Sequence, residues 1–287
     1  MTTAMLVSLV LNSLSLAALY FIVASGFSLV FGLLRTVNMA HGAMCMLGAY
    51  VGYDVASRWG WGWGVLAAAV ATAVLGMAVQ KWLLDRMAGQ DLRQALLTIG
   101  LAIVLGDQML ARYGGTTYQM EPPEALYTSV TLPLGLGGYP MFRLFMIGVA
   151  VVVGLVLWLL LHRTRLGMAI RAGVDDRAML SAMGFNVPLL FVVVFGLGAA
   201  LAGLGGAMGG SALSVAPGED ARYLMSSLVV VIVGGMGSLA GAALGALLIA
   251  FAEQIGLILV PHHAILLTFV LMAAVLAVRP SGLLGRA

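Results

Sequence analysis

The sequence predicts an all-α fold, a polytopic transmembrane helical bundle of about eight or nine membrane segments, and three observations carry that expectation. Hydrophobic side chains are 62% of the 287 residues and charged ones 9%, with a mean hydropathy of +1.08, far from the balance of a water-soluble domain. The apolar stretches run to about the 20 residues that a helix needs to cross the hydrocarbon layer. They are continuous blocks rather than alternating strand patterns, which disfavours a β-barrel.

In chain order, the first segment covers 5 to 34. Its leading stretch, MTTAMLVSLVLNSLSLAALYFIVASGF, has no Lys or Arg and outruns a signal-peptide core without a convincing cleavage site, so it reads as a retained span. Segments two and three, 39 to 57 and 62 to 80, meet at a turn holding Trp59, Trp61 and Trp63. Segment four is 93 to 112, five is 141 to 161 and six is 187 to 213. The seventh, 223 to 234, is too short to span and breaks at GGMGS, 234 to 238. A broken or re-entrant segment near 223-238 is expected, tolerable only where protein or a water-filled cavity surrounds the irregular backbone at Gly235 and Gly237. Segments eight and nine, 239 to 258 and 262 to 278, complete a single transmembrane domain over 1-287.

Basic residues orient the bundle. Lys81, Arg86 and Arg93 mark one connection as cytoplasmic, and Arg163, Arg165, Arg171 and Arg177 mark the loop 162-186 likewise. The loop 113-140 has no interior basic residue and is assigned outside, while Arg279 and Arg286 place the C-terminus inside. Counting the short seventh segment, an odd number of crossings then puts the N-terminus outside; without that segment it falls inside. Tyr113, Tyr118, Tyr127 and Tyr139 in and beside the external loop suit the membrane interface, and YQMEPPEALY also suits contact with an external partner. The net charge of +3 comes from residues between spans, so no nucleic-acid partner follows. The single cysteine, Cys45, excludes an internal disulfide and reads as a small buried hydrophobe.

Small and polar residues supply the candidate sites. Gly205 with Gly209, and Gly241 with Gly245, are glycines at a four-residue step, fitted either to close helix packing or to an interface where helices slide. Asp107 and Glu253 lie in apolar segments, where an uncompensated charge costs on the order of 2.5–3.5 kcal/mol on insertion scales. Water access or a neutral, hydrogen-bonded acid explains them simply; a place on a translocation path is the alternative. Asn38, His41 and Gly42 precede segment two at an expected cytoplasmic edge. His262 and His263 read as loop residues. In the cytoplasmic loop, Val174, Ala178, Ala182 and Phe185 recur at helical spacing, Asp175 and Asp176 suit a first turn, and Gly184 can stop the helix. One short amphipathic helix is expected there, as a solvated connection or as a piece that docks on another subunit.

Nothing in the sequence suggests an enzyme. Lys81 is the only lysine and follows Gln80, so no phosphate-binding Gly-Lys-Ser/Thr loop exists, and no hydrolase, zinc-helix or haem signature occurs. No catalytic residue, metal or cofactor is expected on this chain, and any pumping energy has to come from an ion gradient or another polypeptide.

Four motifs, GLLRTVNMAHGAMCMLGAY, RTRLGMAIRAGVDDRAMLSAMGFNV, VVVIVGGMGSLAGAALGALL and VRPSGLLG, together resemble the LivH-type inner-membrane permeases of branched-chain amino acid ABC importers. The resemblance implies a multi-pass permease domain in a bacterial inner membrane. Its implied partners are a second, similar permease in a heterodimer, two cytoplasmic ATPase subunits that use ATP and Mg, and a periplasmic substrate-binding protein. It further implies that Gly173, Asp175, Asp176, Arg177, Ala178 and Gly184 belong to a coupling helix engaging an ATPase. The family is often acidic after the His-Gly of NMAHGAMC, whereas this chain has Ala43, so no charge-based role is expected there. Asn38, His41, Gly42, Asp107, Gly235, Gly237 and Glu253 are the expected path or gate residues. Urea, short amides or other small solutes remain alternative cargoes, and an ion-driven carrier working through Asp107 and Glu253 is the rival from another class.

Overall fold

The structure, a computed structural model, describes residues 3–34, 37–131 and 138–285. It is an all-α bundle. Helix α1 covers Thr3–Leu34, α2 His41–Trp59 and α3 Trp61–Val79, the last continued by a π-turn at Gln80–Leu84 and a 3-10 turn at Asp85–Met87. Then come α4 (Asp91–Tyr113), the short α5 (Glu124–Tyr127), α6 (Met141–Arg163), α7 (Arg165–Asp175) and α8 (Arg177–Ala182). Helices α9 (Val187–Ala212), α10 (Glu219–Gly234), α11 (Leu239–Leu259) and α12 (Ala264–Val278) follow. Among the described residues six helices are long and apolar enough to cross a membrane: α1, α3 with its extension, α4, α6, α9 and α11.

The helix ends follow local chemistry. Trp59 and Trp61 flank Gly60, whose φ of +94° turns the chain between α2 and α3. Asn186 opens α9 by accepting the Leu189 N–H at 3.1 Å, with Pro188 in the first turn, where a missing N–H costs nothing. The external loop carries a two-stranded antiparallel ribbon of β1 (Ser129–Thr131) and β2 (Gly138–Pro140). Tyr118 exchanges both backbone hydrogen bonds with Val215, tying that loop to the α9–α10 connection. The tyrosines form a cluster: Tyr50 and Tyr113 stack with centroids 4.2 Å apart, and the Tyr113 hydroxyl donates to Asp54 at 2.7 Å.

Helix α9 lies at the centre, between α1, α2 and α3. Its glycines let backbones touch. A Cβ on Gly206 would overlap the Cys45 carbonyl of α2, and one on Gly203 would lie 2.5 Å from the Ala68 carbonyl of α3. Without a hydrophobic effect between helices in lipid, such close backbone approach is a main source of association. Gly205 faces Val23 of α1 and Gly209 faces the Tyr223 hydroxyl of α10, whereas Gly241 and Gly245 of α11 meet the Gly234 and Val230 carbonyls of α10. Gly206→Val should therefore force α2 away from α9 and cost at least about 1–3 kcal/mol. Thermal unfolding of the detergent-purified protein reads this directly, and an unchanged midpoint contradicts the packing.

Candidate translocation and coupling site

The seam between α10 and α11 is built from glycine. Gly235 and Gly237 have φ of +107° and +80°, which let the chain reverse within GGMGS. Such a break strands backbone groups at both helix ends. On the α11 side the Ser238 hydroxyl accepts the Gly241 N–H at 3.0 Å. On the α10 side the partners come from far along the chain: the Leu283 and Leu284 N–H groups donate to the Val233 and Gly234 carbonyls, each at 2.9 Å. Gly282 makes this docking possible, since a Cβ there would sit 2.6 Å from Gly235. Gly32 of α1 closes the other side, its Cβ position 3.1 Å from the Gly237 Cα.

Beside this seam lies a cavity of about 1290 Å³ between α1, α6, α7, α11 and residues 280–285. Its wall is mainly apolar, with hydroxyls from Ser25, Ser28, Ser238 and Ser281 and with His162 and Arg171 on the side that the basic loops mark as cytoplasmic. The Ser28 hydroxyl has no hydrogen-bond partner among the described residues. Small apolar solutes fit such a wall, which offers a few hydroxyls and no buried charge.

Sequence reasoning expected one helix from about 173 to 184; the structure has two. Helix α7 starts on Thr164, whose hydroxyl accepts the Gly167 N–H at 3.1 Å, and it runs through Asp175. Asp176 then takes an extended conformation (φ −148°, ψ 107°) and its carboxylate accepts the Met179 N–H at 3.0 Å, starting α8. An aspartate competes well as a cap, and that local hydrogen bond divides the segment. Gly184, with φ of +86°, ends α8: its N–H donates to the Ser181 carbonyl at 3.0 Å and the Phe185 N–H to the Leu180 carbonyl at 3.3 Å. Leu180 is buried against Gly173 and Leu33, while Met179, Met183 and Phe185 are exposed. The side chains of Asp175, Arg177 and Ala178 lie outside the described residues, as do Arg35 and Arg286.

The start of α2 lies deeper than the sequence suggests. His41 is fully buried, and its Nε2 is 3.0 Å from the Val23 carbonyl, eleven residues before the end of α1 and so about 16 Å along that helix. The expected cytoplasmic edge is thus a point well inside the bundle. Because a carbonyl only accepts, Nε2 carries the proton and Nδ1 is left without a partner among the described residues. Asn38 accepts the Ala40 N–H at 3.1 Å, and Thr98 of α4 accepts the Met39 N–H at 3.2 Å. Gly42 packs on the first turn of α10, its Cβ position 2.8 Å from the Leu224 nitrogen. His41→Leu should cost about 1–3 kcal/mol by removing the buried donor to the Val23 carbonyl of α1, whereas His41→Gln keeps a donor near Val23 and should cost less. Unfolding midpoints of the two variants check that order.

Of the remaining candidates, Gly237 borders the large cavity, while Asn38, His41, Asp107 and Glu253 do not. Asp107 is exposed on α4. Glu253 accepts a 2.5 Å hydrogen bond from the Tyr20 hydroxyl of α1, a partner that no local pattern reveals across a separation of 233 residues. The docking of 280–285 also escaped sequence reasoning, although the Gly282 and Gly285 spacing after Pro280 was its visible trace.

A polytopic helical bundle with an inner cavity, a glycine seam and a projecting amphipathic hairpin has the architecture of a membrane permease. Residues 9–277 match the family described as branched-chain amino acid transport system / permease component, and the chain belongs to that family. It is 27% identical over 291 residues to the high-affinity branched-chain amino acid transport permease BraD of Pseudomonas aeruginosa, covering 96% of this chain and 94% of the relative. LivH of Escherichia coli K12 is 26% identical with the same coverage. A probable LivH of Methanocaldococcus jannaschii is 24% identical over 92% of this chain and 88% of its own. The solved structure of PsaBC from Streptococcus pneumoniae in complex with Fab shares the fold, with a TM-score of 0.50 at 14% identity over 92% of this chain and 87% of that one. The chain is a multi-pass, inner-membrane permease of LivH type.

Proposed function

We propose that this permease is the translocation subunit of an ATP-driven importer that carries branched-chain or similar hydrophobic amino acids across the inner membrane. The observation that carries the reading is the α7–α8 hairpin: fixed by a cap at each helix start and by Gly184, it exposes Met179, Met183 and Phe185 on the side the basic loops mark as cytoplasmic. An apolar tip held this rigidly suits the groove of another subunit, and the full-length likeness to branched-chain permeases supplies the partners. Those are a second permease, two cytoplasmic ATPases that use ATP and Mg, and a periplasmic binding protein. This chain holds no cofactor of its own in that assembly.

In this reading α2, α10 and α12 join the six long helices to give eight or nine membrane segments, with α10 and the glycine seam as the broken one. ATPase closure displaces the hairpin, Leu180 passes the movement to Gly173 and the end of α1, and the cavity walls shift about the seam. The test is reconstitution of the four membrane-associated subunits in vesicles with a leucine-loaded binding protein. ATP turnover and leucine uptake should both rise on its addition. Uptake that persists without ATP and collapses with an ionophore contradicts the proposal.

A further inference from the structure

A second, smaller cavity lies on the opposite, outward side of the bundle. It has a volume of about 150 Å³, room for about five waters at the ~30 Å³ each occupies in the liquid. Thr117 of the external loop and Leu213, Ser214 and Ala216 of the α9–α10 connection line it, on the side that the charge distribution assigns to the outside. Its polar wall holds Tyr20 of α1, Ser214, and Glu219, Arg222, Tyr223 and Ser226 of α10.

The charges there are arranged, not scattered. Arg222 touches Glu219 through one contact of 3.3 Å, which leaves most of the five guanidinium N–H donors uncommitted among the described residues. Tyr20 donates its hydroxyl proton to Glu253 at 2.5 Å and has Ser226 and Arg222 beside it. With its proton so committed, the phenol offers only acceptor lone pairs to the cavity. Along α10 the cavity therefore meets a carboxylate and a guanidinium side by side, with the Ser226 hydroxyl and the Tyr20 oxygen next to them. Leu19 and Leu213 supply apolar surface at the same cavity. Tyr20 lies fourteen residues before the end of α1, about 21 Å along it.

We infer that this outer cavity is a docking site for the zwitterionic head group of an α-amino acid, received before it crosses. The solute carboxylate pairs with Arg222 and Ser226, and its ammonium with Glu219 and the Tyr20 oxygen. Glu253 acts as a positioning residue, since it holds the phenol. A solute bearing one charge of either sign leaves the opposite group in the cavity unmatched, so the site selects zwitterions over amines or acids. The large inner cavity, with its apolar wall, then takes the side chain onward.

The inference rests on the amino-acid reading of the importer, and the experiment separates the two. Leucine uptake is measured in vesicles holding the complete importer with its binding protein, for the wild type and for Arg222→Gln, Arg222→Lys and Tyr20→Phe, with co-purified partner subunits as the measure of assembly. Arg222→Gln should lower uptake about tenfold or more, Arg222→Lys should recover part of it, and Tyr20→Phe should raise KM more than it lowers kcat. Wild-type leucine uptake with equal uptake by assembled Arg222→Gln overturns the site and leaves the proposed function standing. Recovery by lysine no better than by glutamine overturns the charge pairing as well.

Discussion

Removing residues 280–287 should destabilise the permease by several kcal/mol and reduce uptake at least about tenfold. Two carbonyls at the end of α10, those of Val233 and Gly234, take their N–H partners from Leu283 and Leu284. An uncovered buried carbonyl costs about 1–3 kcal/mol, and in the low-dielectric bundle water does not replace the lost donors freely. The seam would then fray where it borders the large cavity. Gly282→Val should act in the same direction within the full-length chain, because its φ of +79° and its contact with Gly235 both exclude a side chain. Proteolysis between residues 234 and 238, together with the unfolding midpoint, measures the effect. A truncated chain that unfolds and transports like the full one contradicts the docking.

The second large effect is expected at the hairpin tip. Met179 and Met183 are 63% and 65% exposed, so replacing both with aspartate leaves the permease fold nearly untouched. An apolar anchor in a subunit groove typically contributes 2 kcal/mol or more, so two charged replacements should weaken ATPase attachment at least about a hundredfold. The rise in ATP turnover on adding loaded binding protein should vanish, while the two permeases still purify together. Normal stimulation in the double variant removes the hairpin from the coupling route.

Most of the helical bundle was readable from hydropathy alone. Segment boundaries expected at 141, 187 and 239 coincide with the starts of α6, α9 and α11, because composition changes abruptly there. Other features depend on contacts that no local window contains. Asp176 was read as a first-turn acid within one helix, but its side chain caps α8 and splits the segment. His41 reads as a residue at the membrane edge because charge and apolar sequence meet there, yet it lies buried against the Val23 carbonyl of α1. Arg222 and Glu219 stand just before a short segment with no pattern to mark them, and Glu253 has its partner, Tyr20, on α1. A polar group in an apolar segment is visible in sequence; the group that satisfies it is not.

The buried start of α2 bears on how the chain is assembled in the bilayer. A segment released into lipid by the insertion machinery must arrive with its amide groups satisfied, and in the turn leading into α2 the Met39 N–H has its partner in Thr98. Since Thr98 belongs to α4, two segments later, α2 has to wait beside the machinery until α4 has been made. Integration of α2 is therefore completed only with α4, and a ribosome-stalled chain ending before residue 98 should leave Cys45 of α2 open to a water-soluble thiol reagent, unlike the buried thiol of the finished chain.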